Sequence, residues 1–257
     1  MPRYQRLEGE SGQDQVPKLY LEALGGLWDE DRARIDALAA KSVREAGARR
    51  DIIREGDKPR GAMLVLEGWG CCYKQLPDGR RQIVDFLIPG DLSDADIHLL
   101  EEMDHSIAAI TPMRYAQLGA AELEALKAES PRIAEALGRH ALAVASIQRE
   151  WTTNVGQRCA YERIAHLICE TFFRLRAVGL TRGQHCDFPL TQIDIADATG
   201  LTPVHVNRML RELREDGLAS VQLRSLVIRD LDRLTKACMF SPNYLHLDRD
   251  RRQRDAA

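Results

Sequence analysis

The sequence predicts an α+β protein: an N-terminal antiparallel β-roll, jelly-roll-like and flanked by helices, then a long dimerisation helix and a C-terminal winged helix-turn-helix. Three observations predict it. From Leu190 to Ile228 two short amphipathic helical patterns meet across a turn at Gly200–Leu201 and are followed by a hairpin pattern. From Ala48 to Leu118 short apolar runs alternate with Gly, Pro and Asp turns, at the spacing of about 8–12 residues expected of an antiparallel sandwich. From Pro131 onward, apolar side chains recur at every seventh position.

The chain has 257 residues with 44% apolar content, enough for two domains with separate cores. Residues 1–17 are polar and read as a flexible arm. Residues 18–46 carry Leu21, Leu24, Leu27, Ile35 and Leu38 at helical spacing and read as short scaffold helices leading into a sensor domain over residues 18–130. In that domain LPDGRR is a hairpin signal, because Asp78-Gly79 supplies the positive φ of a tight turn.

The segment DLSDADIHLLEEMDHS, residues 91–106, breaks the strand pattern with four Asp and two Glu. Ile97, Leu99, Leu100 and Met103 suit one helical turn covering the space between the sheets. The expected effector-binding residues are therefore Asp94, Asp96, His98, His105 and Ser106.

The long helix is expected over residues 131–156. Leu137, Val144 and Trp151 form one heptad position, and Ile133, His140, Ile147 and Asn154 the other, which predicts the seam of a parallel homodimer. Gly156 is the expected break and hinge. A further helix follows, with Ile164, Leu167, Ile168, Phe172 and Leu175 inward. Residues 157–240 then form the reader domain, with TRGQHCDFPL as a loop, and residues 241–257 a charged tail.

In the helix-turn-helix, Thr191 and Thr202 stand as N-caps and Pro203 just inside the second helix, where a missing N–H costs nothing. Ile193, Ile195, Ala196 and Ala198 line the first helix, and Val206, Met209, Leu210 and Leu213 the second. His205, Asn207, Arg208, Arg211 and Arg214 lie off that stripe. Arg pairs bidentately with guanine and Asn with adenine in the major groove, which a helix fits, so the expected partner is double-stranded DNA.

Charge supports this. The net charge is −3, yet from Gln157 onward there are 16 Lys and Arg against 13 Asp and Glu, leaving 20 against 26 before it. No signal peptide or apolar run of about 18 residues occurs, so a cytoplasmic protein without membrane contact is expected. The six cysteines show no C-x-x-C pair or zinc spacing, so neither a metal nor a disulfide framework is expected.

In this order of elements the chain resembles the Crp/Fnr-type transcription regulators. The marks are EGDKPRGAMLVLEGWGCCYKQLPDGRRQIVDFLIPGDL in the roll and LTQIDIADATGLTPVHVNRMLRELREDGL in the reader, and the likeness spans about residues 20–236. The resemblance implies that Arg208 reads a guanine with Asn207 and His205 beside it, that Thr191 and Gln192 touch phosphate, and that the operator is palindromic. Thr202, Pro203, Val204 and Arg211 complete the expected DNA face, and RNA polymerase is a further expected partner.

Three departures stand out. Val204 occupies the place where many members carry an acidic base-reading partner, and it offers only apolar contact, for instance to a thymine methyl. His105-Ser106 stands where cyclic-AMP-binding members have Arg-Ser, and the upstream Gly-Glu-Leu is missing, so no cyclic nucleotide is expected. Residues 1–70 hold no cysteine for the N-terminal iron–sulfur cluster of oxygen-sensing members. His98, His105, Cys71 and Cys72 are the haem-ligand candidates, but nothing in their spacing favours haem. No cofactor is expected.

Two rival readings remain. A cupin-like β-roll enzyme would need more than His98 and His105, and no catalytic motif appears, so no enzymatic activity is expected. A thiol-redox regulator of the same family would use Cys186, read as a loop cysteine beside His185.

Overall fold

The computed structural model describes residues 19–247, so the expected arm and the charged residues from Asp248 lie outside the described residues. Two short helices, α1 (Tyr20–Ala23) and α2 (Asp29–Ala39), lead into seven strands: β1 (Val43–Ala46), β2 (Asp51–Ile53), β3 (Ala62–Glu67), β4 (Gly70–Gln75), β5 (Arg81–Leu87), β6 (Ser106–Ala109) and β7 (Met113–Leu118). Helices α3 (Ala120–Glu129), α4 (Pro131–Gln157) and α5 (Ala160–Ala177) follow. The reader comprises β8 (Thr181–Arg182), β9 (His185–Asp187), α6 (Gln192–Thr199), α7 (Pro203–Glu215), β10 (Ala219–Gln222), β11 (Ser225–Ile228) and α8 (Leu231–Ala237).

The roll is two antiparallel sheets, ordered β1-β7-β3 and β2-β6-β4-β5. Their facing side chains, among them Met63, Val65, Cys72, Leu87, Ile107, Met113 and Tyr115, form one apolar cluster. The chain can turn between β3 and β4 because Gly68 has φ +81 and no Cβ, which would otherwise fall 2.2 Å from the Pro112 carbonyl oxygen. The helical reading of residues 43–46 is corrected: β1 pairs with β7, Val43 opposite Ala116 and Ala46 opposite Met113. Its side chains are mostly exposed, so ladder hydrogen bonds rather than an apolar period hold it.

The acidic segment forms a single 3₁₀ turn, Ile97–Leu99. Ile97 and Met103 are buried between the sheets, whereas Leu99 and Leu100 point outward, 75% and 47% exposed. Side chains therefore fill much of the roll, leaving beside Asp94 and His105 a pocket of about 30 Å³.

Helix α4 starts at Ser130, whose hydroxyl accepts from Ile133 N–H and donates to Asp31. It runs through Gly156 and stops at Arg158, whose ψ of 144° is extended. The hinge expected at Gly156 is thus two residues late, since one helical Gly costs only about 1 kcal/mol and does not end a helix.

The expected dimer seam is also corrected. Ile133, Leu137, His140, Ile147, Trp151 and Asn154 are all buried inside this one chain, and Val144 is half-buried. His140 meets the Tyr20 ring edge-on at 6.3 Å, Trp151 packs on Phe86, and Asn154 donates to the Arg163 carbonyl. The heptad period fits α4 to its own roll and α5. Burial, with the nearby Arg174 charge, pushes the His140 imidazole down to about 4, so it is neutral.

Sensor and reader are joined by Arg174 of α5. Its guanidinium donates to Asp85 (3.0 Å), to the Phe86 carbonyl (3.0 Å) and to Asp91 (2.8 Å), all on the roll. Glu170, one turn earlier, accepts from Trp151 Nε1 (2.8 Å) and from the Tyr244 hydroxyl (2.7 Å). Burial pushes the Glu170 carboxyl up to about 7 against the pull of Arg174. Tyr244 belongs to residues 241–247, assigned from sequence to a charged tail. Instead they carry a 3₁₀ turn, Pro242–Leu245, with Leu245 fully buried and Tyr244 stacked on His166 at 5.8 Å.

Removing Arg174 strands Asp85 and Asp91 together. Arg174→Met should cost about 3–5 kcal/mol by urea denaturation, and a loss below about 1 kcal/mol would show that the hub is marginal.

Candidate nucleic-acid interface

Helices α6 and α7 take their ends from local chemistry. The Thr191 hydroxyl accepts from Asp194 N–H (3.2 Å) while the Asp194 carboxylate accepts from Thr191 N–H (2.8 Å), a reciprocal capping box. Gly200 closes α6 in the left-handed region at φ 66°. The Thr202 hydroxyl then accepts from His205 N–H (3.2 Å), and Pro203 occupies the first turn of α7.

Helix α7 buries Val206, Met209 and Leu213, and packs Leu210 partly against the same core. Thr202, Pro203, Val204, Asn207, Arg208, Arg211 and Arg214 are exposed, Val204 at 82%, and His205 is half-buried. The Arg208 guanidinium lies 2.7 Å from His205 Nε2. If that nitrogen accepts, the ring proton is on Nδ1 and His205 braces Arg208 one turn away. Thr191 and Gln192, at the open start of α6, are exposed as well. So is Ile193, at 58%, which the sequence pattern assigned to the inner face.

The wing is the hairpin β10–β11, paired from Ala219 opposite Ile228 to Gln222 opposite Ser225. Sequence reasoning missed that β9 and β8 extend it into a four-stranded sheet in the order β10-β11-β9-β8. Two- and three-residue strands carry too little alternation to be read, although the Gly183 turn was a signal.

That sheet overturns the redox assignment. Cys186 is on β9 rather than in a loop, is 6% exposed, and burial pushes its thiol up to about 12. Burial thus disfavours the thiolate that a sensing cysteine needs. Cys71, also pushed up to about 12 by burial, and Cys72 point to opposite faces of β4, each into a core. Cys159 is the exposed thiol.

The expected effector residues do not converge. Asp94 and His105 line an open cleft of about 310 Å³ between the roll and α4, with Lys74, Asp85, Val144 and Gln148. Asp96 is paired with Lys127, Ser106 is buried and accepts from Glu55 N–H, and His98 is half-buried elsewhere. Among the described residues no three His, Cys, Asp or Glu side chains form a metal-holding group, and no helix is long and apolar enough to cross a membrane.

Residues 162–237 match the Crp-like helix-turn-helix domain, and residues 43–130 the cyclic nucleotide-binding domain. The nitrogen fixation regulation protein FixK of Bradyrhizobium diazoefficiens is 31% identical over 170 residues, covering 66% of this chain and 70% of that protein. The chain belongs to the Crp/Fnr family of DNA-binding transcription regulators. The transcriptional activator protein FnrL of Cereibacter sphaeroides is 27% identical over 198 residues, 76% of this chain and 79% of its own length. In fold, FixK2 from Bradyrhizobium japonicum superposes with a TM-score of 0.68 at 24% identity, over 76% of this chain and 96% of that one.

Thiol accessibility separates this Crp/Fnr chain from a Cys186-switched one. Iodoacetamide at neutral pH should label Cys159 in the native protein and leave Cys186 unlabelled in peptide mass spectrometry. Equal labelling would return Cys186 to the sensing role.

Proposed function

We propose that this regulator binds a palindromic operator as a homodimer, the α7 of each protomer entering the major groove of one half-site. The carrying observation is the exposed polar start of α7, where His205 holds Arg208 ready beside Asn207. Arg208 reads a guanine, Asn207 an adenine edge, and Val204 packs on a thymine methyl. Thr191, Gln192, Thr202 and Arg211 contact phosphates, with the Pro203 turn against the backbone.

The dimer uses the face of α4 that its own chain leaves open. Gly138, Ala141, Leu142, Thr152 and Val155 are exposed there and Ala145 is half-buried, with Gly138, Ala145 and Thr152 seven apart. Small residues at that spacing let two helices approach closely. Two reading helices about 34 Å apart then meet successive major grooves.

The protein acts in the cytoplasm by binding, not turnover, and RNA polymerase is the partner through which it alters transcription. A small effector would act in the cleft between the roll and α4, at Asp94 and His105. The carboxylates of Asp85 and Asp94 disfavour a cyclic phosphate there.

Selection from a random DNA pool should yield a palindrome. Arg208→Ala should cost about 1–3 kcal/mol of affinity and relax one base pair per half-site. An unchanged footprint would misplace the reading face. Ala145→Glu should give a monomer in analytical ultracentrifugation, with weakened operator binding; a dimer of unchanged stability would remove α4 from the interface.

A further inference from the structure

Helix α6 does not hang free from the α4–α5 break. It lies against the roll, where two arginines hold its acidic side. Arg49, in the turn between β1 and β2, donates through both terminal nitrogens to Asp194, at 2.5 and 2.8 Å. Arg81 of β5 donates to Asp197 at 2.8 Å and lies 3.6 Å from Asp194. Gln82 adds a hydrogen bond to the Ala198 carbonyl at 3.2 Å, and Trp69 of the roll meets Phe188 edge-on at 6.2 Å.

Three features make this more than incidental surface pairing. The Asp194 side chain is 1% exposed and also caps α6, so its charge needs a fixed partner. Hydrogen bonds from Arg49 and Thr191 hold that carboxyl below the usual range although burial raises it. Arg49 sits at φ 62°, a left-handed backbone that side chains with a Cβ adopt rarely. Its own N–H, donating to the Ala109 carbonyl at 2.7 Å, pins the turn there. Strain of this kind persists where surrounding contacts over-determine the conformation.

The contacts bear on the angle of the reading head. Arg174 anchors α5 to the roll, and the orientation that α6 and α7 take beyond it sets how far apart two α7 helices stand in a dimer. The latch leaves Thr191, Gln192, Asn207 and Arg208 exposed, so it restrains the head without covering it.

We propose that Arg49 and Arg81 are positioning residues that fix the orientation of the helix-turn-helix on the roll and so determine the half-site spacing the dimer accepts. The proposal rests on the DNA-reading face described above. Neither residue needs to touch a base.

The test uses the full chain and the selected palindrome, its versions with one or two base pairs added or removed between half-sites, and a single half-site. Arg49→Asn, which tolerates the left-handed backbone, combined with Arg81→Gln should lose about tenfold on the natural spacing. Its preference over the altered spacings should collapse, while single half-site affinity stays within about twofold, showing an intact head. Arg81→Asp should behave similarly, and Arg81→Asp with Asp197→Arg should restore the spacing preference. An unchanged spacing preference would overturn the proposal, as would tighter binding at every spacing, which would make the contact a brake. A loss on the half-site equal to that on the palindrome would also overturn it, since the head itself would then be damaged. Failure of the reading face appears separately, as a wild type that selects no palindrome.

Discussion

One buried guanidinium ties the two halves of this protein together. Arg174 lies on the helix that opens the reader, yet its bonds run to β5 and to the loop at Asp91 of the sensor. Desolvating a charge costs several kcal/mol, so the arrangement is stable only if every strong acceptor is placed. A lysine would not serve, because a single ammonium cannot present the planar fork that meets Asp85, the Phe86 carbonyl and Asp91 at once. Asp85, Asp91 and Glu170 share that one cation. Burial accordingly keeps Asp91 up at about 6 and Glu170 at about 7, rather than at ordinary carboxylate values. Through Glu170 the same cluster engages Trp151 of α4 and Tyr244 near the end of the described chain. Roll, long helix, reader and C-terminal segment are therefore fixed by one polar cluster set within apolar packing.

Helix α4 feels that constraint most. Its inner face must fill the space between roll and α5, and the His140 ring, the Trp151 indole and the Asn154 Nδ2 do so with partners inside the chain. Its outer face carries Gly138, Ala141 and Ala145, side chains too small to support much of a monomer's core but suited to close helix approach. The seven-residue apolar period thus belongs to the fold of the single chain, which reverses the assignment that hydrophobicity alone suggests.

The fold class and the helix-turn-helix were legible in the sequence because their signals are local. Thr191, Gly200, Thr202 and Pro203 each mark a helix end by the chemistry of one or two residues, and Asp78-Gly79 marks a hairpin. What escaped depends on pairing across the chain. Strand β1 has no apolar period and exists only because β7 offers a ladder; β8 and β9 are too short to show alternation, which placed Cys186 in a loop. A seven-residue repeat gives spacing but not the identity of the surface it meets, so the α4 seam was read with the wrong partner. The contacts of Arg49 and Arg81 with α6 span 116 residues or more, beyond any local pattern.

Local electrostatics also explain how a chain of net charge −3 presents a surface to a polyanion. The first nine residues of α7, from Pro203 to Arg211, contain His205, Arg208 and Arg211 and no carboxylate, and they sit at the helix end where exposed N–H groups favour anions. Glu212, Glu215 and Asp216 come only at the far end. The nearest acids on α6, Asp194 and Asp197, are turned to the roll and neutralised by Arg49 and Arg81. Fields of exposed charges fade over about 10 Å in salt, so phosphates respond to this arrangement and not to the whole-chain sum. The acidic sensor thus contributes cations beside the α6 carboxylates that would otherwise face the start of α7.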